Sequence, residues 1–186
     1  MIGAMAGPHT ANREAARTAR LTFEPLRAEH AAQLFPLLAD PRLYTYVDDE
    51  ARASLALLAA RFAELARGAP AETNETWLNW IVRRRADGAA IGTLQATLEP
   101  GGRAWIGYLL TPSAWGQGFA TEACTWLVAE LAQRHGSREI LASVDARNAK
   151  SIALLERLGF TRAATGAAEL HGVPTIEHRY RLSVAA

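Results

Sequence analysis

The stretch IGYLLTPSAWGQGFATEA, residues 106–123, decides the fold because it carries an apolar, strand-like run directly into a helix. Gly116 and Gly118 stand in the loop just before the first turn of that helix. A helix N-terminus leaves its first four backbone N–H groups without intrahelical partners and carries partial positive charge. Because glycine has no Cβ, an anion can approach the backbone closely there. The stretch therefore predicts a cradle for a pyrophosphate group.

Two other nucleotide-binding motifs fit this loop less well. It lacks the lysine and the spacing of a G-x-x-x-x-G-K-[ST] phosphate loop. As a dinucleotide fingerprint it has Thr121 where the third glycine belongs, although Asp145 stands near the end of the next predicted strand. Asp145 lies 27 residues after Gly118, whereas the fingerprint places its acidic residue about 20 residues on. The hairpins predicted upstream also disfavour a doubly wound sheet.

The composition fits one domain and argues against several kinds of site and partner. The chain has 186 residues, and 49% of them are hydrophobic, which is enough for a sizeable core. Its 20 Lys and Arg residues against 19 Asp and Glu residues leave a formal charge of +1, which favours neither nucleic acid nor a membrane as a partner. One cysteine and five histidines without ligand spacing argue against a disulfide framework and a metal site. We expect a metal-free, cytoplasmic protein, monomeric or homodimeric.

Hydrophobic periodicity predicts one domain over residues 21–186, preceded by a disordered arm over residues 1–20. A short strand and two helices come first. Alternation then predicts an antiparallel meander of three strands, namely Trp77–Arg84, Ala90–Leu98 and Arg103–Leu110. A long helix, a strand, a helix that Asn148 can cap and two closing strands follow. This order predicts an α/β (α+β) domain whose mixed, mostly antiparallel sheet has about six to seven strands and is flanked by about four helices.

A second motif lies on the last predicted helix and its exit. The segment NAKSIALLERLGF, residues 148–160, describes by itself an amphipathic helix with an Asn cap and a Gly at its end. Together with the first stretch it resembles the signatures of the GNAT superfamily of acetyl-CoA-dependent N-acetyltransferases. Trp115–Ala120 matches the Q/R-x-x-G-x-G/A signature, and Asn148-x-x-Ser151 followed by Leu155–Phe160 matches the second one. Within the superfamily, the chain resembles the ribosomal-protein-alanine (RimJ/RimL-like) acetyltransferase branch.

This resemblance implies an acetyl-CoA site in a splay between the third and fourth main strands. Backbone N–H groups at the cradle would hold the coenzyme A pyrophosphate, the residues being Gly116, Gln117, Gly118, Phe119, Ala120 and Thr121. Leu109, Leu110 and Thr111 would line the pantetheine arm and the thioester. Asn148 and Ser151 would face them from the other side. The thioester is already activated, so the protein would mainly align an amine with it for direct transfer.

The resemblance defines the general acid and the general base less well than the coenzyme site. Many members of the superfamily have a tyrosine seven residues after the asparagine, where this chain has Leu155. Ser151 is the candidate general acid, and an ordinary helix-cap role is its alternative. The strand Arg103–Leu110 contains no carboxylate, so the base candidates are residues that flank the expected cleft or a water chain to solvent. Those residues are Glu72, Glu75 and Glu99.

The acceptor is expected between the first two helices, where Tyr44 and Tyr46 are candidates for substrate contact. Cys124 lies on the buried stripe of the long helix and is expected to pack in the core. A protein or peptide N-terminus is one possible acceptor, and a small-molecule amine such as an aminoglycoside or an amino-acid derivative is another. A coenzyme-A-binding regulatory domain without catalysis is a third interpretation, because the tyrosine and the strand carboxylate are missing.

Overall fold

The computed structural model describes residues 15–184, which form one sheet with helices on both faces. The strands are β1 (Ala16–Arg17), β2 (Leu21–Pro25), β3 (Thr76–Arg84), β4 (Ala90–Glu99), β5 (Arg103–Leu110), β6 (Glu139–Asp145), β7 (Thr161–Leu170) and β8 (Val173–Ser183). The helices are α1 (Ala31–Leu38), α2 (Leu55–Arg67), α3 (Phe119–His135) and α4 (Ala149–Arg157).

The order of strands across the sheet is β1-β2-β3-β4-β5-β6-β8-β7. Neighbouring strands are antiparallel except β5 and β6, which are parallel because the chain returns between them through α3. The predicted class, the antiparallel meander and the four helices are thereby confirmed. The sheet has eight strands, slightly more than the sequence predicts.

The extra strand lies in the segment for which the sequence predicts a disordered arm. Residues 1–14 of that arm lie outside the described residues. Ala16–Arg17 pairs with β2, so ordered structure begins before the predicted boundary. Thr18 Oγ1 donates a hydrogen bond to Glu122 of α3 at 2.6 Å, and Arg20 forms an ion pair with the same carboxylate at 2.7 Å. Periodicity cannot reveal a two-residue strand that is held by contacts with a distant helix.

Side chains of the central strands pack alternately into two cores, because successive residues of a strand point to opposite faces. Trp80 and Leu110 belong to the core formed with α3 and α4. Ile81 and Leu109 pack on the other face, against α1 and α2. The end of β5 therefore contacts both cores within two residues.

The two parallel strands separate after a short paired segment, which confirms the predicted splay. Pairing is limited to residues 103–105 of β5 and residues 139–141 of β6. On its other side, β5 stays paired with β4 as far as Leu110, which lies opposite Gly92. A Cβ on Gly92 would lie 2.1 Å from the Leu109 carbonyl oxygen, so only glycine allows β4 to approach β5 at this point.

Candidate active site

A cavity of about 630 Å³ opens at the splay and extends from one face of the sheet to the other. On one face its walls include Tyr44 and Tyr46 from the segment between α1 and α2. On the opposite face they include Asn148 and Ser151 at the start of α4. Residues of β5 and β6 border it in between. The separation of the two strands thus leaves a passage through the sheet.

The predicted pyrophosphate cradle lies beyond the end of β5, at the start of α3. Gly116 and Gly118 have φ angles of 72° and 76°, in the left-handed region that favours glycine. Gly118 is the N-terminal cap of α3 and provides no side-chain cap hydrogen bond. The Glu122 N–H donates to the Gly118 carbonyl at 3.1 Å, which starts the helical ladder. The N–H groups of residues 119–121 precede that ladder, the arrangement that allows a helix N-terminus to bind an anion.

Arg20 stands at this cradle, although the sequence predicts that it belongs to a disordered arm. Its Nη1 donates to the Gln117 carbonyl oxygen at 2.9 Å, and its guanidinium lies 4.6 Å from the centre of the Phe119 ring. The ion pair with Glu122 holds it in place. A Cβ on Gly118 would lie 3.4 Å from Arg20 Nη2, so the guanidinium is next to the glycine.

Two further cations reach the cradle from α4. Lys150 Nζ lies 5.1 Å from the centre of the Trp115 ring, and Arg157 Nη1 lies 3.5 Å from Thr121 Oγ1. Their charges add to that of Arg20 and to the positive end of the α3 dipole. The surroundings of the cradle therefore fit a ligand that carries phosphate groups.

The three residues predicted to line the pantetheine and thioester are placed differently. Leu109 lines the cavity. Leu110 is buried, and its carbonyl oxygen accepts a hydrogen bond from Trp115 Nε1 at 2.6 Å. Thr111 is also buried, and its N–H donates to the Ile91 carbonyl at 2.8 Å. Leu110 and Thr111 thus fix the loop that leads to the cradle, and their side chains are not brought to the cavity.

Asn148 and Ser151 do lie together on the cavity wall. Asn148 Oδ1 accepts a hydrogen bond from the Ser151 N–H at 3.1 Å, which confirms the predicted helix cap. Tyr108 of β5 lines the same cavity. Burial raises the pKa of Tyr108 above its usual value. The sequence did not single out Tyr108, because strand alternation alone does not show that β5 and α4 border one cavity.

The predicted base candidates are not among the residues that line the cavity. Glu75 accepts a hydrogen bond from Trp77 Nε1 at 2.9 Å, and Glu99 accepts one from Trp105 Nε1 at 3.0 Å. Glu72 lies in a short turn before β3. Other carboxylates line the cavity instead, and they come from three separate parts of the chain: Asp48, Asp49, Glu50, Asp145, Glu169 and Glu177. Sequence spacing could not find them, because only the fold brings these segments together.

Asp145, at the end of β6, is already engaged by its neighbours. Arg147 Nε and Nη2 donate to its two oxygens at 2.8 and 2.7 Å, and Thr175 Oγ1 donates to it at 2.8 Å. These bonds, above all those from Arg147, hold the pKa of Asp145 well below its usual range. A carboxylate so stabilised is a poor base, and it fixes the segment between β6 and α4.

Both tyrosines predicted to contact the acceptor, Tyr44 and Tyr46, line the cavity. The Tyr44 hydroxyl donates to the Leu38 carbonyl at 2.8 Å, which holds its ring against the end of α1. The Tyr46 ring centre lies 6.0 Å from the Arg147 guanidinium. His171, in the turn between β7 and β8, places Nε2 at 2.9 Å from the Tyr44 carbonyl oxygen. That contact joins two segments on either side of the cavity opening.

The remaining predicted features concern the core, metals and membranes. Cys124 is fully buried in the core, as predicted, and burial raises the pKa of its thiol to about 12. Leu155, at the usual tyrosine position, lines the cavity with an apolar side chain. Among residues 15–184, no cluster of His, Cys, Asp or Glu could hold a metal ion. The helices described here are too short or too polar to cross a membrane.

Comparison with known proteins identifies the family. The sequence matches the family model of the acetyltransferase (GNAT) domain over residues 20–161. RimL, the ribosomal L7/L12 alpha-N-protein acetyltransferase in complex with coenzyme A, has a TM-score of 0.80 at 20% identity over 92% of this chain and 98% of that one. The ribosomal-protein-S5-alanine acetyltransferase from Vibrio fischeri has a TM-score of 0.78 at 16% identity, over 91% of this chain and 96% of that one. A GCN5-related N-acetyltransferase from Brucella melitensis has a TM-score of 0.79 at 19% identity, over 92% of this chain and 79% of that one.

A search of curated proteins gave no match. The identities to solved structures are low, so those similarities show the fold. The family match is the stronger result, because it spans the cradle, both splayed strands and the motif at α4. The chain therefore belongs to the GNAT family of acetyl-CoA-dependent N-acetyltransferases.

Proposed function

We propose that this protein transfers the acetyl group of acetyl-CoA directly to a primary amine that enters from the side of Tyr44 and Tyr46. The observation that carries the proposal is the cavity through the splay, which is open to α4 on one face and to the α1–α2 segment on the other. A coenzyme bound from one face and an acceptor bound from the other would meet between β5 and β6. Alignment of two reactants in this way can remove about 7–11 kcal/mol from a barrier.

The residues at the start of α3 fit the pyrophosphate of coenzyme A. Gly116 and Gly118 leave the backbone accessible, and the N–H groups of Gln117 and of residues 119–121 can donate to phosphate oxygens. Leu109, Asn148 and Ser151 would contact the pantetheine arm from the cavity wall, while Leu110 and Thr111 would keep the loop in position. When bound, the coenzyme supplies an acyl group that is already activated as a thioester.

Ser151 is the proposed general acid. Its hydroxyl can hold a proton at Oγ on the cavity wall and release it to the sulfur as the carbon–sulfur bond breaks. A positioned general acid contributes about 10²–10⁴-fold to a rate. The cap by Asn148 fixes the backbone of Ser151, which supports this assignment.

A carboxylate at the cavity opening or a water chain would take the proton from the attacking amine. Glu169 and Glu177 of the β7–β8 hairpin line the cavity, unlike Glu72, Glu75 and Glu99, and are the better placed candidates. Water connected to solvent can perform the same step without a dedicated base.

A protein or peptide N-terminus is the acceptor that the site supports best. Apart from Asp145, five carboxylates line the cavity, against the two arginines Arg52 and Arg61, so a protonated amine is attracted to it. RimL, which shares the fold, is a ribosomal L7/L12 acetyltransferase. An aminoglycoside or an amino-acid amine is the second candidate, since it carries the same positive charge. A domain that binds coenzyme A without catalysis is the third, because Leu155 lacks a hydroxyl.

A panel of amines tests these alternatives. The protein is incubated with acetyl-CoA and with peptides that begin with free Ala or Ser, with aminoglycosides or with polyamines, and released thiol is measured. We expect turnover of the peptides and none with the same peptides acetylated at the N-terminus. Turnover of aminoglycosides alone would support the second candidate. Saturable binding of acetyl-CoA without turnover of any amine would support the third.

A further inference from the structure

Arg20 directly precedes β2 and connects it with the loop before α3. Its guanidinium bonds in two directions: Nε donates to Glu122 Oε2 at 2.7 Å, and Nη1 donates to the Gln117 carbonyl oxygen at 2.9 Å. A guanidinium is planar, so its nitrogen atoms have fixed positions relative to one another. Arg20 therefore holds the Gln117 carbonyl in a set place relative to Glu122 in the first turn of α3.

Glu122 also fixes Arg20 through its second oxygen. Glu122 Oε1 accepts a hydrogen bond from the Arg20 backbone N–H at 2.8 Å and one from Thr18 Oγ1 at 2.6 Å. The guanidinium lies 4.6 Å from the centre of the Phe119 ring, which is buried in the core. An isolated surface ion pair fixes little, because two long side chains stay free to move. Here a shared carboxylate and a packed ring restrict the guanidinium to one position.

The bond from Arg20 to the Gln117 carbonyl sets the direction of the next N–H group. The peptide bonds of residues 15–184 are all trans, so the Gln117 carbonyl and the Gly118 N–H point in opposite directions across one planar group. With the carbonyl turned toward Arg20, the Gly118 N–H points away from the guanidinium. Glycine restrains its own backbone very little, so the orientation of this peptide depends on an outside contact.

Building on the proposed placement of the coenzyme, we propose that Arg20 is a positioning residue that fixes the Gln117–Gly118 peptide so that the Gly118 N–H donates to the coenzyme A pyrophosphate. The Gly118 N–H thereby joins those of Gln117 and residues 119–121 in the cradle. Arg20 acts through backbone geometry, and its Nε and Nη1 atoms stay bound to Glu122 and Gln117 when the coenzyme is present. A cation that acted by its charge alone would not need these two partners.

A conservative substitution distinguishes positioning from attraction by charge. Arg20→Lys keeps the positive charge, but a single ammonium group does not reproduce the planar bridge between Glu122 and the Gln117 carbonyl. Affinity for coenzyme A, measured by calorimetry, should fall about tenfold, as for one lost hydrogen bond. Affinity for pantetheine, which has no phosphate, should change less than about twofold, since the hydrogen bond in question goes to the pyrophosphate. Full affinity for coenzyme A in Arg20→Lys would overturn the proposal.

Arg85→Lys is the matched control. Arg85 Nη1 donates to the carbonyl oxygens of Thr18 and Ala19 at 2.8 and 2.9 Å, so it anchors the same N-terminal segment at a different place from the cradle. We expect Arg85→Lys to leave the affinity for coenzyme A unchanged. Equal losses of affinity in the two variants would mean that Arg20 only holds this segment on the sheet, and would also overturn the proposal.

The Gly118 N–H can be observed directly in ¹⁵N-labelled protein. Coenzyme A should move the Gly118 amide signal, whereas pantetheine should leave it in place. In Arg20→Lys, saturating coenzyme A should move that signal less, because the peptide is no longer held in one orientation. A Gly118 signal that coenzyme A does not move in the parent protein would refute the assigned role of this N–H group.

Coenzyme binding and acetyl transfer are measured separately, so their failures can be told apart. A parent protein that binds coenzyme A more tightly than Arg20→Lys but acetylates no amine refutes the proposed transfer alone. A parent protein that acetylates amines, while Arg20→Lys keeps full affinity for coenzyme A, refutes the role of Arg20 alone.

Discussion

The proposed cradle at α3 and the proposed acceptor side of the cavity are built in different ways. The cradle uses backbone N–H groups of one continuous segment, shaped by two glycines with left-handed φ angles. The acceptor side uses side chains from the α1–α2 segment, the end of β6 and the β7–β8 hairpin. A backbone site needs few fixed side chains, whereas each acceptor contact depends on a particular residue. The same scaffold can therefore keep one coenzyme while the acceptor changes.

The largest effect is expected at the cradle itself. Gly118→Asp introduces a negative charge where we place the pyrophosphate, and two like charges about 4 Å apart repel by about 4 kcal/mol near a protein surface. Affinity for coenzyme A, measured by calorimetry, should fall about 10³-fold, while circular dichroism shows a folded protein. Gly101→Asp is the control, because Gly101 also has a left-handed φ, of 87°, with nothing close to its Cβ position. Equal losses of affinity in both variants would place the pyrophosphate elsewhere.

The fold was predictable where local patterns are strong. The three strands of the meander and the α3 helix follow from alternation and from helical periodicity, and both agree with the structure. The β1 strand was not predictable, because its two residues depend on contacts of Thr18 and Arg20 with Glu122. Gly92 was missed for a related reason, since its need for glycine comes from the Leu109 carbonyl of the neighbouring strand.

The candidate site also has parts that the sequence predicts and parts that it does not. The cradle glycines and the Asn148 cap could be found, because each motif is contiguous in sequence and acts through local backbone geometry. The carboxylates that line the cavity could not, since Asp48 and Glu177 come together only through the fold. Tyr108 was in the quoted stretch, but only the fold brings it to the same cavity as Ser151.

The second prediction concerns which ligand the cradle binds. If the cradle is specific for coenzyme A, acetyl-CoA at a hundredfold excess over its dissociation constant should stabilise the fold by about 2.7 kcal/mol. NAD and ATP at equal concentration should stabilise the fold much less. A thermal scan measures the shift in Tm, and Gly118→Asp serves as the non-binding control. A larger shift with NAD or ATP would contradict the assignment of the cradle.

The third prediction concerns the acid sensitivity of the acceptor side. The folded state depresses the pKa of Asp145, so its contribution to stability is present above the unfolded pKa of about 4 and is lost as the pH falls. Asp145→Asn should lower the free energy of unfolding by about 1–3 kcal/mol at neutral pH, and the difference should shrink below about pH 4. Urea titrations at several pH values measure it. Glu64→Gln removes an exposed ion pair with Arg61 on α2 and should have little effect at any pH.

The smallest effect is expected at the turn that joins the two sides of the cavity opening. His171 has a φ of 52°, which asparagine also tolerates, so His171→Asn removes the ring that contacts the Tyr44 carbonyl without adding backbone strain. The KM for the acceptor should rise about threefold to tenfold, in line with one lost hydrogen bond, while the affinity for coenzyme A stays unchanged. His178→Asn is the control on the same hairpin, because its ring contacts Thr165 and Arg162 of β7 instead. Weaker coenzyme binding in His171→Asn would show that the cradle and the proposed acceptor side are coupled. That result would contradict the view that the two regions act independently.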